Sequence, residues 1–236
     1  MNGIWADIIK EHMKKKELQN KLKTNLPFLI KKFTKLNIFN WEDLEHLINF
    51  RPILTERNFI ATKGFPAQWP YRDWLSDINS FPADVMKQEL LTGTCYFKDM
   101  SRYNKKINQL VKYFSEQSDC PTDAHIYFSL VVKEEDGFGI HCDESHNFII
   151  QMQGESKVKI WNVTIQNNKK NLENISDKPV IDTVLYPGDL VYVPVWHYHK
   201  LTSNTKRISI SFPCNPKSKG IKSAFQEREW IEVNKL

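Results

Sequence analysis

The pattern that most constrains this chain lies between residues 124 and 214. There, short runs of β-branched and aromatic residues recur between turn signals. The runs are His125 to Val132, Asn147 to Gln153, Ser156 to Val163, Val184 to Tyr186, Leu190 to Val193 and Arg207 to Phe212, with Asp136-Gly137 and Pro187-Gly188-Asp189 among the separators. Strands this short and evenly spaced, with no helical pattern between them, exclude a βαβ sheet and predict a barrel or jelly roll. The polar stretch Asn167 to Asp177 reads as a hairpin excursion or lid.

The N-terminal part has a different period. Ile4, Ile8, Ile9, Met13, Leu18 and Leu22 fall on one stripe and predict a helix over 4–23, ended by Asn25-Leu26-Pro27. A second helix is expected after Asn40, with Glu42 and Asp43 in its first turn and Leu44, Leu47 and Ile48 inward. A strand is expected within 53–62 and a surface helix over 102–117. Trp69, Tyr71 and Trp74 read as packing residues. The 236 residues are expected to form one domain: a helical wrap (1–50), a mixed first part (51–123), the barrel core (124–214) and a C-terminal extension (215–236). The class is mostly β with N-terminal helices.

Composition narrows the setting. With 41% hydrophobic and 26% charged residues the chain is globular, and it has no apolar run of membrane-spanning length. No secretory signal pattern opens it, and Cys95, Cys120, Cys142 and Cys214 form no CxxC pair. Free thiols in the cytoplasm are the expectation. The net charge of +5 is concentrated in residues 1–36, where nine lysines face three acids. A solvated helix face accounts for this better than a nucleic-acid arm, because no arginine cluster or aromatic platform accompanies it. Apolar stripes in the terminal segments, the later one through Phe225, Trp230 and Ile231, leave room for a homodimer.

His141-Cys142-Asp143 carries the chemistry. On a strand, residues i and i+2 share a face, so the imidazole and carboxylate address one point. A third imidazole would complete a two-histidine, one-carboxylate set, which suits Fe(II) and leaves positions open. The segment Tyr186 to His199 offers His197 and His199, which share parity.

Gly139 to Phe148, Gln151-Met152-Gln153-Gly154 and Tyr186 to Pro194 resemble the Jumonji-C-like, cupin-type 2-oxoglutarate oxygenases, in particular small hydroxylases related to the asparaginyl hydroxylase of the hypoxia pathway. The likeness spans residues 124–214 and extends loosely over 50–120. It implies a double-stranded β-helix, Fe(II), 2-oxoglutarate and O2. It further implies His141, Asp143 and His199 as metal ligands and catalytic centre, with Asn147 near the co-substrate. The implied activity is hydroxylation of a protein, peptide, amino acid or other small molecule, with 2-oxoglutarate converted to succinate and CO2. A metal-dependent cupin enzyme that does not use 2-oxoglutarate, and a non-catalytic binding module, are the competing readings.

In one place the sequence departs from the family. A basic residue often stands two positions after the strand glycine, where it meets the distal carboxylate of 2-oxoglutarate; here that position is Ser156. Lys157 and Lys159 should face outward if Val158 and Ile160 face inward. Arg207-Ile208-Ser209-Ile210-Ser211-Phe212 alternates cleanly, and its Arg-x-Ser, eight residues after His199, is similar to the co-substrate motif of other 2-oxoglutarate oxygenase branches. Arg207 and Ser209, with Asn147 and Tyr127, form the expected co-substrate set. A guanidinium can grip a carboxylate with two parallel hydrogen bonds.

Overall fold

The alternation becomes two antiparallel sheets in a computed structural model, which describes residues 15–50, 59–61, 93–130, 138–164 and 178–215. The strands are β1 (Phe28–Ile30), β2 (Phe59–Ala61), β3 (Thr94–Phe97), β4 (His125–Ser129), β5 (His146–Gln153), β6 (Ser156–Thr164), β7 (Ile181–Leu185), β8 (Leu190–Val193), β9 (His197–Ser203) and β10 (Arg207–Cys214). Among the described residues three helices accompany them: α1 (Lys15–Lys23), α2 (Trp41–Phe50) and α3 (Lys105–Ser118). The larger sheet has the order β1-β8-β5-β10-β4-β3-β2 and the smaller β7-β6-β9. From β5 to β10 the chain passes repeatedly between the two sheets, which is the expected jelly-roll arrangement.

Strand parity sorts the large sheet into two faces. Phe148, Ile150, Leu190, Tyr192, Ile126, Phe128, Ile208, Ile210 and Phe212 join α3 residues Ile107, Leu110 and Phe114 in the main core. Phe114 stacks on Phe148 at 4.4 Å and packs on Phe212 at 4.9 Å. The opposite face looks into the barrel. At one end it is apolar, with Ile149, Val191 and Val193 against Val158, Ile160 and Leu185 of the small sheet. At the other it presents Thr94, Tyr96, Tyr127, Asn147, Arg207, Ser209 and Ser211. A barrel interior that is oily at one end and polar at the other localises the chemistry.

Helix α2 begins where the sequence puts its cap, and α3 begins three residues later than expected, at Lys105. The Asn40 Oδ1 accepts from the Asp43 N–H and the Asp43 Oδ2 accepts from the Asn40 N–H, both at 2.9 Å. Helix α3 starts after Asn104, whose Oδ1 accepts from the Ile107 N–H at 2.8 Å, and ends at Asp119 in left-handed backbone. The first expected helix is described from Lys15 onward.

Pro187-Gly188-Asp189 also anchors the N-terminal wrap. Gly188 has φ +90°, and a Cβ there would collide with the Thr34 carbonyl oxygen. The buried Asp189 carboxylate accepts from the Lys32 N–H (2.9 Å), the Tyr186 N–H (3.0 Å) and Lys31 Nζ (2.8 Å). Segment 28–34 is thereby strapped along β8, where Phe28 pairs with Tyr192. Lys31, grouped with the solvated lysines in the sequence reading, instead neutralises a buried carboxylate.

Three strands were not foreseen. Strand β1 is three residues long and forms by pairing with β8, so it carries no period of its own. Strand β3 is likewise set by its pairing with β4. Strand β9 has inward residues His197, His199, Leu201 and Ser203, mostly polar, so hydrophobic alternation could not reveal it. The expectations for Trp69, Tyr71, Trp74, the 167–177 excursion, Val131, Val132 and the C-terminal Phe225, Trp230 and Ile231 lie outside the described residues. No helix among the described residues is long and apolar enough to cross a membrane.

Candidate metal centre

His141 and His199 meet because their backbones pair. The His141 N–H donates to the His199 carbonyl at 3.1 Å and the His199 N–H to the His141 carbonyl at 2.8 Å, an isolated antiparallel bridge ahead of β5. Directly opposed residues project to one side, and the two rings lie 4.3 Å apart. Two residues on, Asp143 returns to the same side, and its carbonyl accepts the Trp196 N–H at 2.8 Å. Ligand atoms of His141, Asp143 and His199 all fall within 4.8 Å of one another. His199 Nε2 is 3.5 Å from Asp143 Oδ2, and His141 Nε2 is 4.0 Å from Oδ1.

Both rings are oriented from behind. His141 Nδ1 lies 3.1 Å from the Gly139 carbonyl and His199 Nδ1 lies 3.0 Å from the His197 carbonyl. A carbonyl only accepts, so each Nδ1 carries the proton and each Nε2 keeps its lone pair for the shared point. Burial, with His141 adding to it, pushes the His199 imidazole down to about 4, so it is neutral, the form a metal requires. His199 is 3% exposed, whereas His141 and Asp143 are 36% and 39% exposed. The centre is therefore closed on one side and open on the other. This donor set fits a divalent first-row metal such as iron.

The expected co-substrate residues line the interior beside it. In one cross-strand row stand Arg207, Ser129 and Thr94; in the next, Ser209, Tyr127 and Tyr96. Arg207 is 2% exposed, and donates from Nε to Ser203 Oγ (2.9 Å), from Nη1 to Ser209 Oγ (3.0 Å) and from Nη2 to Thr94 Oγ1 (3.4 Å). Burial first, then Tyr96 and the Asp143 charge, push the Tyr127 hydroxyl well above its usual range, with the Arg207 charge opposing them. Ser156 is fully buried, its hydroxyl bonded to Gln151 Oε1 at 2.8 Å, while Lys157 is exposed and Lys159 reaches Asp182 at 3.6 Å. The Asn147 amide reaches Asp143 itself, at 2.6 Å. His197 stays outside the triad: its Nε2 lies 3.4 Å from Asn162 Oδ1.

Sequence reasoning missed Tyr96, Phe138 and a second acidic cluster. Tyr96 stacks on Tyr127 at 4.6 Å and on His125 at 5.7 Å, and Phe138 meets both tyrosines edge-on before reaching His141. Asp99, Asp123 and His125 also bring ligand atoms within 4.8 Å of one another. Asp123-Ala124-His125 has the same i, i+2 spacing as the metal pair, which was the available signal; Asp99 arrives from beyond β3. Burial and then the Asp123 charge push the Asp99 carboxyl from 3.8 to about 6. Between those values the folded chain holds a proton that the unfolded chain has lost, so this group's contribution to stability falls as pH rises through about 4–6. Asn at this position mimics the protonated carboxyl. Asp99→Asn should raise Tm at pH 7.5 by about 2–4 °C, roughly 1 kcal/mol for a chain of this size with partial screening, and leave Tm unchanged near pH 4. Thermal melts at the two pH values check this.

Comparison with known proteins gives the chain a family. The chain is 30% identical over 119 residues to the bifunctional lysine-specific demethylase and histidyl-hydroxylase NO66 of Drosophila pseudoobscura pseudoobscura, over 47% of this chain and 12% of that protein. Against the Caenorhabditis elegans protein of the same name it is 25% identical over 113 residues, 44% of this chain and 15% of the other. It therefore spans less than a fifth of these relatives. Among solved structures, its fold is similar to the Escherichia coli ribosomal oxygenase YcfD in complex with cobalt and succinic acid, with TM-score 0.56 and 17% identity over 93% of this chain and 53% of that one. The YcfD complex with cobalt and 2-oxoglutarate gives 0.55 at 17% identity, with the same coverage. A family model described as a JmjC domain matches residues 97–220, more than half of the sequence, and the chain belongs to the JmjC domain family.

Proposed function

We propose that this chain is an Fe(II)- and 2-oxoglutarate-dependent oxygenase that hydroxylates a side chain of a protein or peptide. The convergence of His141 Nε2, His199 Nε2 and the Asp143 carboxylate, with both Nδ1 atoms tied to backbone carbonyls, carries the reading. Fe(II) bound there supplies, with 2-oxoglutarate and O2, the oxidising power to place one oxygen atom in a substrate C–H bond while the other enters succinate as CO2 leaves. The protein contributes ligands, orientation and exclusion of water.

Within the barrel, Arg207 meets the distal carboxylate of 2-oxoglutarate. A guanidinium buried among Ser203, Ser209 and Thr94 is already oriented by their hydroxyls, and a carboxylate entering a low-dielectric interior needs such a partner. Ser209 and Tyr127 flank that position. Ser156, short and uncharged, has its hydroxyl engaged by Gln151. The open side at His141 and Asp143 admits the substrate. Relatives described as a histidyl-hydroxylase and a ribosomal oxygenase support a protein side chain as that substrate. Four cysteines present as thiols support a cytoplasmic setting.

The test is succinate release. Purified protein with Fe(II), 2-oxoglutarate and a screened set of protein and peptide substrates should yield succinate together with a mass gain of about 16 Da on one of them. Metal-dependent turnover without succinate would instead identify a cupin enzyme of another kind. Failure to bind Fe(II) or Mn(II) would point to a binding module.

A further inference from the structure

Asp143 is the least restrained of the three candidate ligands. It precedes β5, is 39% exposed, and its side chain has no ring to fix its rotation. What holds it comes from inside the barrel. Asn147 Nδ2 donates to Asp143 Oδ2 at 2.6 Å, a short bond of the charge-assisted kind. Asn147 is itself buried, and its Oδ1 accepts from the Ser211 hydroxyl at 3.3 Å. The orientation of the amide follows from chemistry: an ionised carboxylate only accepts, so the NH2 group must face Asp143 and the carbonyl must face Ser211. Strand pairing keeps the parts together. On β10, Ser211 is paired with Ile149 of β5, two residues from Asn147, so hydroxyl and amide project from the same face.

We propose that Asn147, braced by Ser211, is the positioning residue that presents Asp143 to the metal, by holding Oδ2 with its amide while Oδ1 faces His141 Nε2. This rests on the triad being a metal site. It gives Asn147 a structural target distinct from the co-substrate contact expected from the sequence. Without the amide, a half-exposed carboxylate would sample several rotamers, and metal binding would have to order it. Partners one step behind a ligand typically carry about 10–100-fold in metal affinity.

Co(II) alone is the probe, because its visible absorption reports ligand geometry independently of turnover. Asn147→Leu preserves volume and removes the donor. It should bind Co(II) about 10–100-fold more weakly than wild type, with altered bands and a native circular dichroism spectrum. Ser211→Ala, which loosens the brace only, should weaken binding by a few-fold and shift the bands in the same direction. Wild-type affinity and bands in Asn147→Leu would overturn the proposal; should that variant fail to fold, unchanged Co(II) binding by Ser211→Ala overturns it instead. His199→Ala keeps the two ideas apart. If wild type binds Co(II) no better than His199→Ala, the metal site itself is wrong; if His199 matters and neither Asn147 nor Ser211 does, only the positioning role is.

Discussion

Replacing His199 with alanine should abolish metal binding and all turnover of 2-oxoglutarate, whereas replacing His197 should leave both largely intact. The two histidines share a face of β9 and are both buried, so sequence parity could not separate them. Their connections do. His199 forms the backbone bridge to His141 and turns its Nε2 to the shared point, with Nδ1 held 3.0 Å from the His197 carbonyl. The group that holds it belongs to the His197 backbone, which alanine retains. The His197 side chain points instead toward Asn162. Losing a ligand should cost more than the roughly 10–100-fold of a supporting group, so Mn(II) titration should detect no saturable binding in His199→Ala. His197→Ala should stay within about tenfold of wild type on the same scale. Equal losses in the two variants would mean that the wrong histidine has been placed at the metal.

Arg207→Ala should raise the 2-oxoglutarate concentration needed for half-maximal turnover by about 10²–10⁴-fold, since leaving a buried charge unpartnered costs about 3–5 kcal/mol. Mn(II) binding should persist, because Arg207 is not among the candidate ligands His141, Asp143 and His199. Arg207→Lys keeps a charge but loses the planar fork that matches both carboxylate oxygens, so it should fall between wild type and alanine. Lys157→Ala should change nothing measurable: the side chain is exposed, on the outer face of the small sheet, while the flanking Ser156 and Val158 are buried. Initial rates of succinate formation across a 2-oxoglutarate titration separate these cases. A strong effect at Lys157 with none at Arg207 would mean that β6 is in the opposite register, since a one-residue slip exchanges the two faces of a strand.

By itself the sequence determined the mostly β class, the order of the strong strands, the caps at Asn40 and the turn at Pro187-Gly188-Asp189. Each of these rests on local chemistry: side-chain period, a short polar residue at a helix start, a glycine where φ is positive. The i, i+2 spacing of His141 and Asp143 was equally local, and so was the alternation that sets Arg207, Ser209 and Ser211 apart from Ile208, Ile210 and Phe212. Everything that depends on two distant segments meeting was decided by tertiary structure. The choice of His199 as the triad's third member follows from its pairing with His141, fifty-eight positions away in the chain. Strands β1 and β9 exist because neighbours supply their hydrogen bonds. Lys31 became a counter-charge only when segment 28–34 reached Asp189. The bond from Asn147 to Asp143 spans only four residues, yet its brace on Ser211 needed β5 and β10 side by side. Local periodicity tells a strand which face is inward; it carries no information about which residues will stand across the barrel from it, because that is set by strand pairing over long loops.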